Sequence, residues 1–208
     1  MVDRALLSFL AMASISIGQT MPAPALPFLD WKACPFEGCV YREWTVNKPV
    51  TAYDSWKEDR RALAQLGIGE KVTGVTGVVI TFKPGIARMD RDLGDLHRGD
   101  TILTYTYRGE GVSAVWFNGR FDPDFDLSFA KLPDGSGCGG EHCAATIVDL
   151  GMKVWWAQVK LKDGRMAWVK MDGIPFDGVD LLALNGVEED PDVLTHVRRA
   201  IEEAGGRF

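Results

Sequence analysis

The sequence has no run of lysine and arginine residues that could follow a phosphate backbone. Its 23 basic residues are outnumbered by 29 acidic ones, and the net charge of -6 is spread along the 208 residues. Nucleic-acid binding requires concentrated positive charge, because contacts to phosphate dominate its affinity. The sequence therefore predicts no nucleic-acid partner.

Long hydrophobic runs are also scarce. The apolar run that follows Arg4 near the N-terminus is too short to span a bilayer as a stable anchor, and a proline-rich stretch comes after it. A short apolar run after a basic residue is typical of a secretory signal peptide, and the helix-breaking prolines argue against a buried N-terminal helix. We expect residues 1–18 to be that signal, with cleavage before Gln19 or after Ala25, and a buried N-terminal helix is the alternative. The mature chain is then exported, periplasmic or secreted, without stable membrane insertion.

Cysteines are few, and they fall into two pairs with the same spacing, Cys34 with Cys39 and Cys138 with Cys143. An even number of cysteines in an exported chain indicates disulfide bonds. Glycines in both short loops favour local pairing, although a bridge between the two clusters would close a longer loop and remains open. A zinc site with four cysteines is a further alternative, but structural zinc knuckles usually have shorter spacing. We predict no metal and no cofactor.

The sequence contains only three histidines, and none belongs to a convincing catalytic pattern. His97 lies in a predicted loop and His196 on a predicted tail helix, so both are expected at the surface. His142 stands between Glu141 and Cys143, which would suit a cysteine nucleophile with a histidine base, but a disulfide would consume the thiol. We therefore predict no catalytic residue.

Three aspartates alternate along one short segment, as the first calcium ligands of an EF-hand do. They are Asp122, Asp124 and Asp126. Leu127 occupies the position of the required glycine, and Pro133 occupies that of the bidentate glutamate. The segment is better interpreted as a solvated acidic turn.

Several segments have the composition and alternation of β-strands. Residues 40–46 predict a strand, and a long polar loop follows from Thr51 to about Gly67, in which we expect a short helical turn near Leu63 and Leu66. Residues 69–81 predict a bent strand, and residues 101–118 a hairpin. The strongest pattern is a hairpin of residues 152–161 and 166–170, whereas residues 118–151 have the composition of a loop.

Only the C-terminal tail has the pattern of a full helix. Asp190 can cap it, Pro191 suits its first position, and Gly205 with Gly206 can end it. Its short length predicts that an apolar stripe docks on the rest of the protein.

Two blocks of the sequence resemble the bacterial SH3-like domain family. One contains Trp44-Thr45-Val46, the polar loop and the strand entry at residues 69–72; the other is residues 155–169, where Ala167 replaces the usual glycine. The resemblance implies a mainly β fold with an SH3-like barrel over residues 40–182. Because the blocks are far apart, the barrel either carries a large β-hairpin insertion at about residues 83–151 or represents two partly fused small barrels. Residues 19–39 would be a linker with the first cysteine pair, and residues 183–208 a C-terminal helical tail.

Aromatic residues supply the candidate ligand site. Tyr53 and Trp56 in the polar loop, together with Trp156 on the outward face of the closing hairpin, are predicted to form an aromatic groove for an extended peptide. The alternative is that large aromatic side chains only fill a small core, which we expect for Trp44, Trp155 and Trp168.

The resemblance favours a non-catalytic exported module that holds a peptide, a cell-wall fragment or an envelope protein. A hydrolase acting on peptidoglycan or peptides is one alternative, and a structural envelope protein without a ligand is another. The sequence does not indicate the oligomeric state.

Overall fold

The computed structural model describes residues 21–181, so the predicted signal peptide and C-terminal helix lie outside the described residues. Within this range the protein is mainly β, with no α-helix and a single turn of 3-10 helix at Gly140–His142. None of these residues forms a helix with the length and apolar character needed to cross a bilayer. The strands are β1 (Phe28–Trp31), β2 (Glu43–Val46), β3 (Val50–Tyr53), β4 (Ala62–Leu66), β5 (Lys71–Lys83), β6 (Gly85–Met89), β7 (Thr101–Gly109), β8 (Val112–Phe117), β9 (Arg120–Asp126), β10 (Ala130–Lys131), β11 (Ala145–Asp149), β12 (Met152–Lys160), β13 (Met166–Lys170) and β14 (Phe176–Asp177).

The strands form two curled sheets. The first has the order β14-β2-β5-β12-β13-β3-β4, and β1 also pairs with β5. Because β12 occupies one edge of β5, strands β2 and β1 share the other edge. Trp44 lies opposite Val72 in the first part of β5, and Leu29 lies opposite Ile80 further along.

The second sheet has the order β10-β11-β6-β7-β8-β9. All its strands lie in the sequence between β5 and β12, which are neighbours in the first sheet. The hairpin predicted over residues 101–118 is present as β7 and β8. The segment expected to be a loop, residues 118–151, instead contributes β9, β10 and β11. β9 forms a tight hairpin with β8 through the turn at Asn118-Gly119, whereas β11 pairs with the distant strand β6 and β10 pairs with β11.

The main core lies on one face of the first sheet. Trp44 is completely buried there, and its indole nitrogen donates a hydrogen bond to the carbonyl of Val40 at 3.0 Å. Alternate residues of the closing hairpin point into the same core, as a strand period of two requires. They are Trp155, Ala157 and Val159 from β12 and Ala167 and Val169 from β13.

Two segments differ from the sequence-based expectations. The polar loop is shorter than predicted, because Val50–Tyr53 and Ala62–Leu66 form an antiparallel pair and no helical turn occurs near Leu63 and Leu66. The stretch expected to be a linker contains β1, which covers an edge of β5 that would otherwise lack hydrogen-bond partners.

Candidate functional site: an aromatic surface on the first sheet

The structure brings the three predicted ligand-site residues into one cluster. Tyr53 ends β3, Trp156 lies in β12, and Trp56 lies in the loop after β3; all three belong to a cluster built around Val78 and Ile80. The rings of Tyr53 and Trp156 meet edge to face, with centroids 5.9 Å apart. This cluster lies on the face opposite the main core, since Trp155 and Trp156 are consecutive residues of one strand.

Two further tryptophans complete this face. Trp31 packs edge to face against Trp56 at 5.8 Å between ring centroids and against Trp168 at 6.4 Å. Trp31 is 51 % exposed. We call the set Trp31, Tyr53, Trp56, Trp156 and Trp168 the aromatic surface.

Sequence reasoning missed Trp31 and assigned Trp168 to the core. Trp168 lies between Ala167 and Val169, which are both fully buried in the main core, so the alternation placed it on the other face. That signal was present in the sequence. Trp31 had no comparable signal in the sequence, because its short strand β1 pairs with the distant strand β5.

The loop of residues 54–61 crosses the aromatic surface and is closed at its base. The backbone nitrogen of Asp54 donates to the carbonyl of Arg61 at 3.0 Å, and the nitrogen of Arg61 donates to the Asp54 carboxylate at 2.8 Å. Inside the loop, the nitrogen of Lys57 donates to the Ser55 hydroxyl at 3.1 Å. These bonds fix the positions from which Trp56 and Arg60 extend over the sheet.

Arg60 covers two of the predicted residues. Its guanidinium carbon lies 5.2 Å from the ring centroid of Tyr53 and 5.0 Å from that of Trp156. Trp156 is consequently 4 % exposed, although the sequence predicted an outward-facing ligand contact. The prediction chose the correct face of the strand but did not anticipate a side chain of the same protein lying over it.

The two cysteine pairs form the local disulfides that the loop glycines favoured. Cys34 bonds to Cys39 and Cys138 to Cys143, with Cα atoms 5.5 Å and 5.4 Å apart. All four cysteines lie within the described residues and none is free. The thiols needed for a zinc site or for a nucleophile beside His142 are therefore consumed.

The other candidate residues are dispersed. His97 and His142 are exposed, and the imidazole of His97 is 3.9 Å from Asp92. Asp122 accepts a hydrogen bond from the backbone nitrogen of Asp124. Within residues 21–181, no three or more potential metal ligands lie close enough together to hold a metal ion.

Asp126 also serves the local turn. It accepts a hydrogen bond from the backbone of Ser128 at 2.8 Å. Hydrogen bonds from Ser128 hold the pKa of the Asp126 carboxyl below its usual value. This carboxylate stabilises the turn that follows β9. The prediction of an acidic turn was otherwise wrong, because Asp122, Asp124 and Asp126 all lie in strand β9, which pairs with β8.

One buried amine lies where the chain re-enters the first sheet. Burial lowers the pKa of Lys153 from 10.5 to about 8, while the charge of Asp149 opposes the shift. The amine of Lys153 donates to the carbonyl of Leu150 at 2.6 Å. The amine is therefore bonded to the local backbone and is not part of the aromatic surface.

The aromatic surface offers apolar area, ring faces and one stacked cation. Such a set of groups can bind a ligand by burial of apolar area, by stacking and by cation–π contact.

Neither a family model, nor a curated protein, nor a solved structure matches the chain.

Proposed function

We propose that the chain is an exported, non-catalytic binding module that holds an extended peptide of an envelope partner on its aromatic surface. The observation that carries the proposal is the exposure of Trp31, half of which faces solvent while it packs against Trp56 and Trp168. Contiguous exposed aromatic groups mark interaction sites more often than chance, and tryptophan is prominent among residues that dominate binding energy.

The strand order supports an SH3-like barrel over residues 40–182. β2 opens the unit, the β3–β4 hairpin stands in the place of the long loop, and β5, β12 and β13 form an antiparallel meander. β14 returns beside β2, with Phe176 opposite Val46. This order brings together the two sequence blocks on which the family resemblance rests.

The second sheet lies in the sequence between β5 and β12, which are neighbours in the first sheet, and this placement supports one barrel with an insertion. It has its own core, centred on residues such as Ile102 and Val115, and its strands pair only with one another. The inserted unit is therefore larger than the predicted hairpin.

The disulfides support export. Disulfide bonds persist in oxidising compartments and are rare in reducing ones. Both cysteine pairs are bonded, so we propose that the module acts in the periplasm or outside the cell.

A screen of random peptides against the full chain tests the function. Peptides selected on the wild-type protein should bind a Trp31→Ala/Trp56→Ala variant at least about tenfold more weakly, because the exposed ring of Trp31 and the half-buried ring packed against it are removed. Ile68→Ala is the matched control, since Ile68 is 71 % exposed and lies outside the aromatic surface.

Three results would contradict the proposal. The screen could yield no peptide, or the selected peptides could bind the double variant as tightly as the wild type. The protein could also bind purified peptidoglycan only through its glycan strands, which would identify a cell-wall fragment as the ligand. Hydrolysis of peptidoglycan or of the selected peptides would favour the enzyme alternative instead.

A further inference from the structure

We propose that the corner formed by the rings of Tyr53 and Trp156 binds a basic side chain of the peptide ligand, and that Arg60 occupies this corner in the free protein as an internal substitute. The inference rests on the proposed function and specifies the chemistry of its ligand. We call this site the aromatic corner.

The geometry of the aromatic corner suits a flat cation. The two rings stand at 74° to each other, and the Arg60 guanidinium lies over both within 5.2 Å of their centroids. Attraction between a cation and an aromatic face is significant within about 6 Å of the ring centroid. A planar guanidinium also stacks on aromatic rings, which a compact ammonium group cannot do as well.

Arg60 is poorly satisfied in this position. Its Nη1 donates to the carbonyl of Lys57 at 2.9 Å, but its Nε is buried and has no hydrogen-bond partner. An unpaired buried donor costs free energy of the same order as the cation–π contact provides. The aromatic corner occupied by Arg60 and the open corner are therefore close in free energy. A ligand can displace Arg60 at a small cost in free energy.

The loop of residues 54–61 carries three acidic and three basic residues, so the ring faces and two exposed carboxylates, not its net charge, favour a basic ligand over an acidic one. Glu58 and Asp59 precede Arg60 in the loop, are exposed, and form no ion pair with any described residue. They are free to pair with an incoming cation and with the displaced Arg60. A carboxylate, by contrast, would be repelled by the negative ring faces of Tyr53 and Trp156.

The aromatic corner and the outer tryptophans would then act together. Trp31, Trp56 and Trp168 provide the apolar contact area, and the corner selects one residue of the peptide by charge and shape. The expected ligand is an extended peptide with an arginine, or a lysine, next to an apolar or aromatic side chain.

Short capped peptides that differ at one central position test this inference. The position holds arginine, citrulline or glutamate; citrulline has nearly the shape of arginine but no charge. Binding to the full chain is followed through the NMR signal of the Trp156 indole N–H. We expect the arginine peptide to bind about tenfold more tightly than the other two.

Variants of the loop separate displacement from simple charge attraction. Arg60→Ala should bind the arginine peptide about threefold to tenfold more tightly, because the internal competitor is gone. Arg61→Ala is the matched control: it removes the same charge one residue away, from a side chain that contacts neither ring, and should leave binding unchanged. Arg60→Met repeats the test with an apolar stem that preserves packing if the alanine variant is unstable.

Equal binding of the arginine and citrulline peptides would overturn the inference, as would tighter binding of the glutamate peptide. Weaker binding by both Arg60 variants would also overturn it, because it would make Arg60 a ligand contact. In each of these cases, peptides from the random screen that still depend on Trp31 and Trp56 would leave the proposed function intact.

Discussion

Arg108 donates hydrogen bonds from Nη2 to both carboxylate oxygens of Asp30, each at 2.9 Å. The Asp30 side chain is 8 % exposed and that of Arg108 36 %. Beside this pair, the ring of Phe28 packs against Tyr105 and Phe121, with centroids 5.0 Å and 5.6 Å apart. Strand β1 therefore pairs with the first sheet through its backbone and contacts the second sheet through the side chains of Phe28 and Asp30, whereas Trp31 packs on the aromatic face of the first sheet.

Removing the arginine of this pair should destabilise the protein. Arg108→Met leaves the Asp30 carboxylate buried without its main partner, and we expect the free energy of unfolding to fall by about 2 to 4 kcal/mol. Adding Asp30→Asn should recover part of the loss, because the uncompensated charge is then gone. Urea denaturation measures both changes.

A surface ion pair provides the control. Lys71 and Glu43 lie 2.6 Å apart with side chains 59 % and 62 % exposed, so Lys71→Met should cost less than about 1 kcal/mol. Equal effects of the two substitutions would show that the Asp30–Arg108 pair has no special role in joining the sheets.

Gly74 is required by the close approach of the Trp44 ring. A Cβ atom at residue 74 would lie 2.6 Å from Cζ2 of Trp44, which is completely buried and cannot move away freely. We expect Gly74→Ala to lower the free energy of unfolding by about 1 to 3 kcal/mol. In Gly67→Ala nothing lies within 4 Å of the new atom, so the change should stay within about 0.5 kcal/mol. Thermal and urea unfolding that rank the two variants in the opposite order would contradict this account of the core.

Lys153 should make stability depend on pH in the alkaline range. Its pKa is about 8 in the folded protein and 10.5 as an unperturbed group, so between these values the unfolded chain binds more protons. The free energy of unfolding should therefore rise as the pH increases from about 8 towards 10, and this stability is lost as the pH falls through 8. Above pH 10 the buried Tyr41, with its pKa raised to about 12, acts in the opposite direction, because the folded protein then holds the extra proton.

Lys153→Met should remove the rise between pH 8 and 10 and increase stability at pH 7, because a charge no longer has to be buried. Lys160→Met is the control, since Lys160 is an exposed residue of the same strand. Urea unfolding at several pH values gives the slope of the free energy of unfolding against pH for each variant. An unchanged slope in Lys153→Met would mean that another group causes the pH dependence.

The sequence alone determined the local features of the protein. The alternation in β12 assigned Trp155 and Trp156 to opposite faces, and glycines near each cysteine pair favoured local disulfides; the structure agrees on both points. The hairpins at residues 101–118 and 152–170 were also predicted, because each is specified by two neighbouring strands and the turn between them. Side-chain period and turn composition are short-range signals.

The tertiary structure decided what covers each face and edge. β1 was not predicted because its partner is the far part of β5, and β11 pairs with β6 in the same long-range way. β9, by contrast, forms a hairpin with β8 through Asn118-Gly119, a short-range turn signal that the sequence analysis overlooked. Trp156 was placed on the correct face, but whether that face meets solvent depended on Arg60 and on a loop closed by Asp54 and Arg61. The alternation of side chains along a strand determines on which face of the sheet a residue lies. What packs against that residue depends on segments that are distant in the sequence.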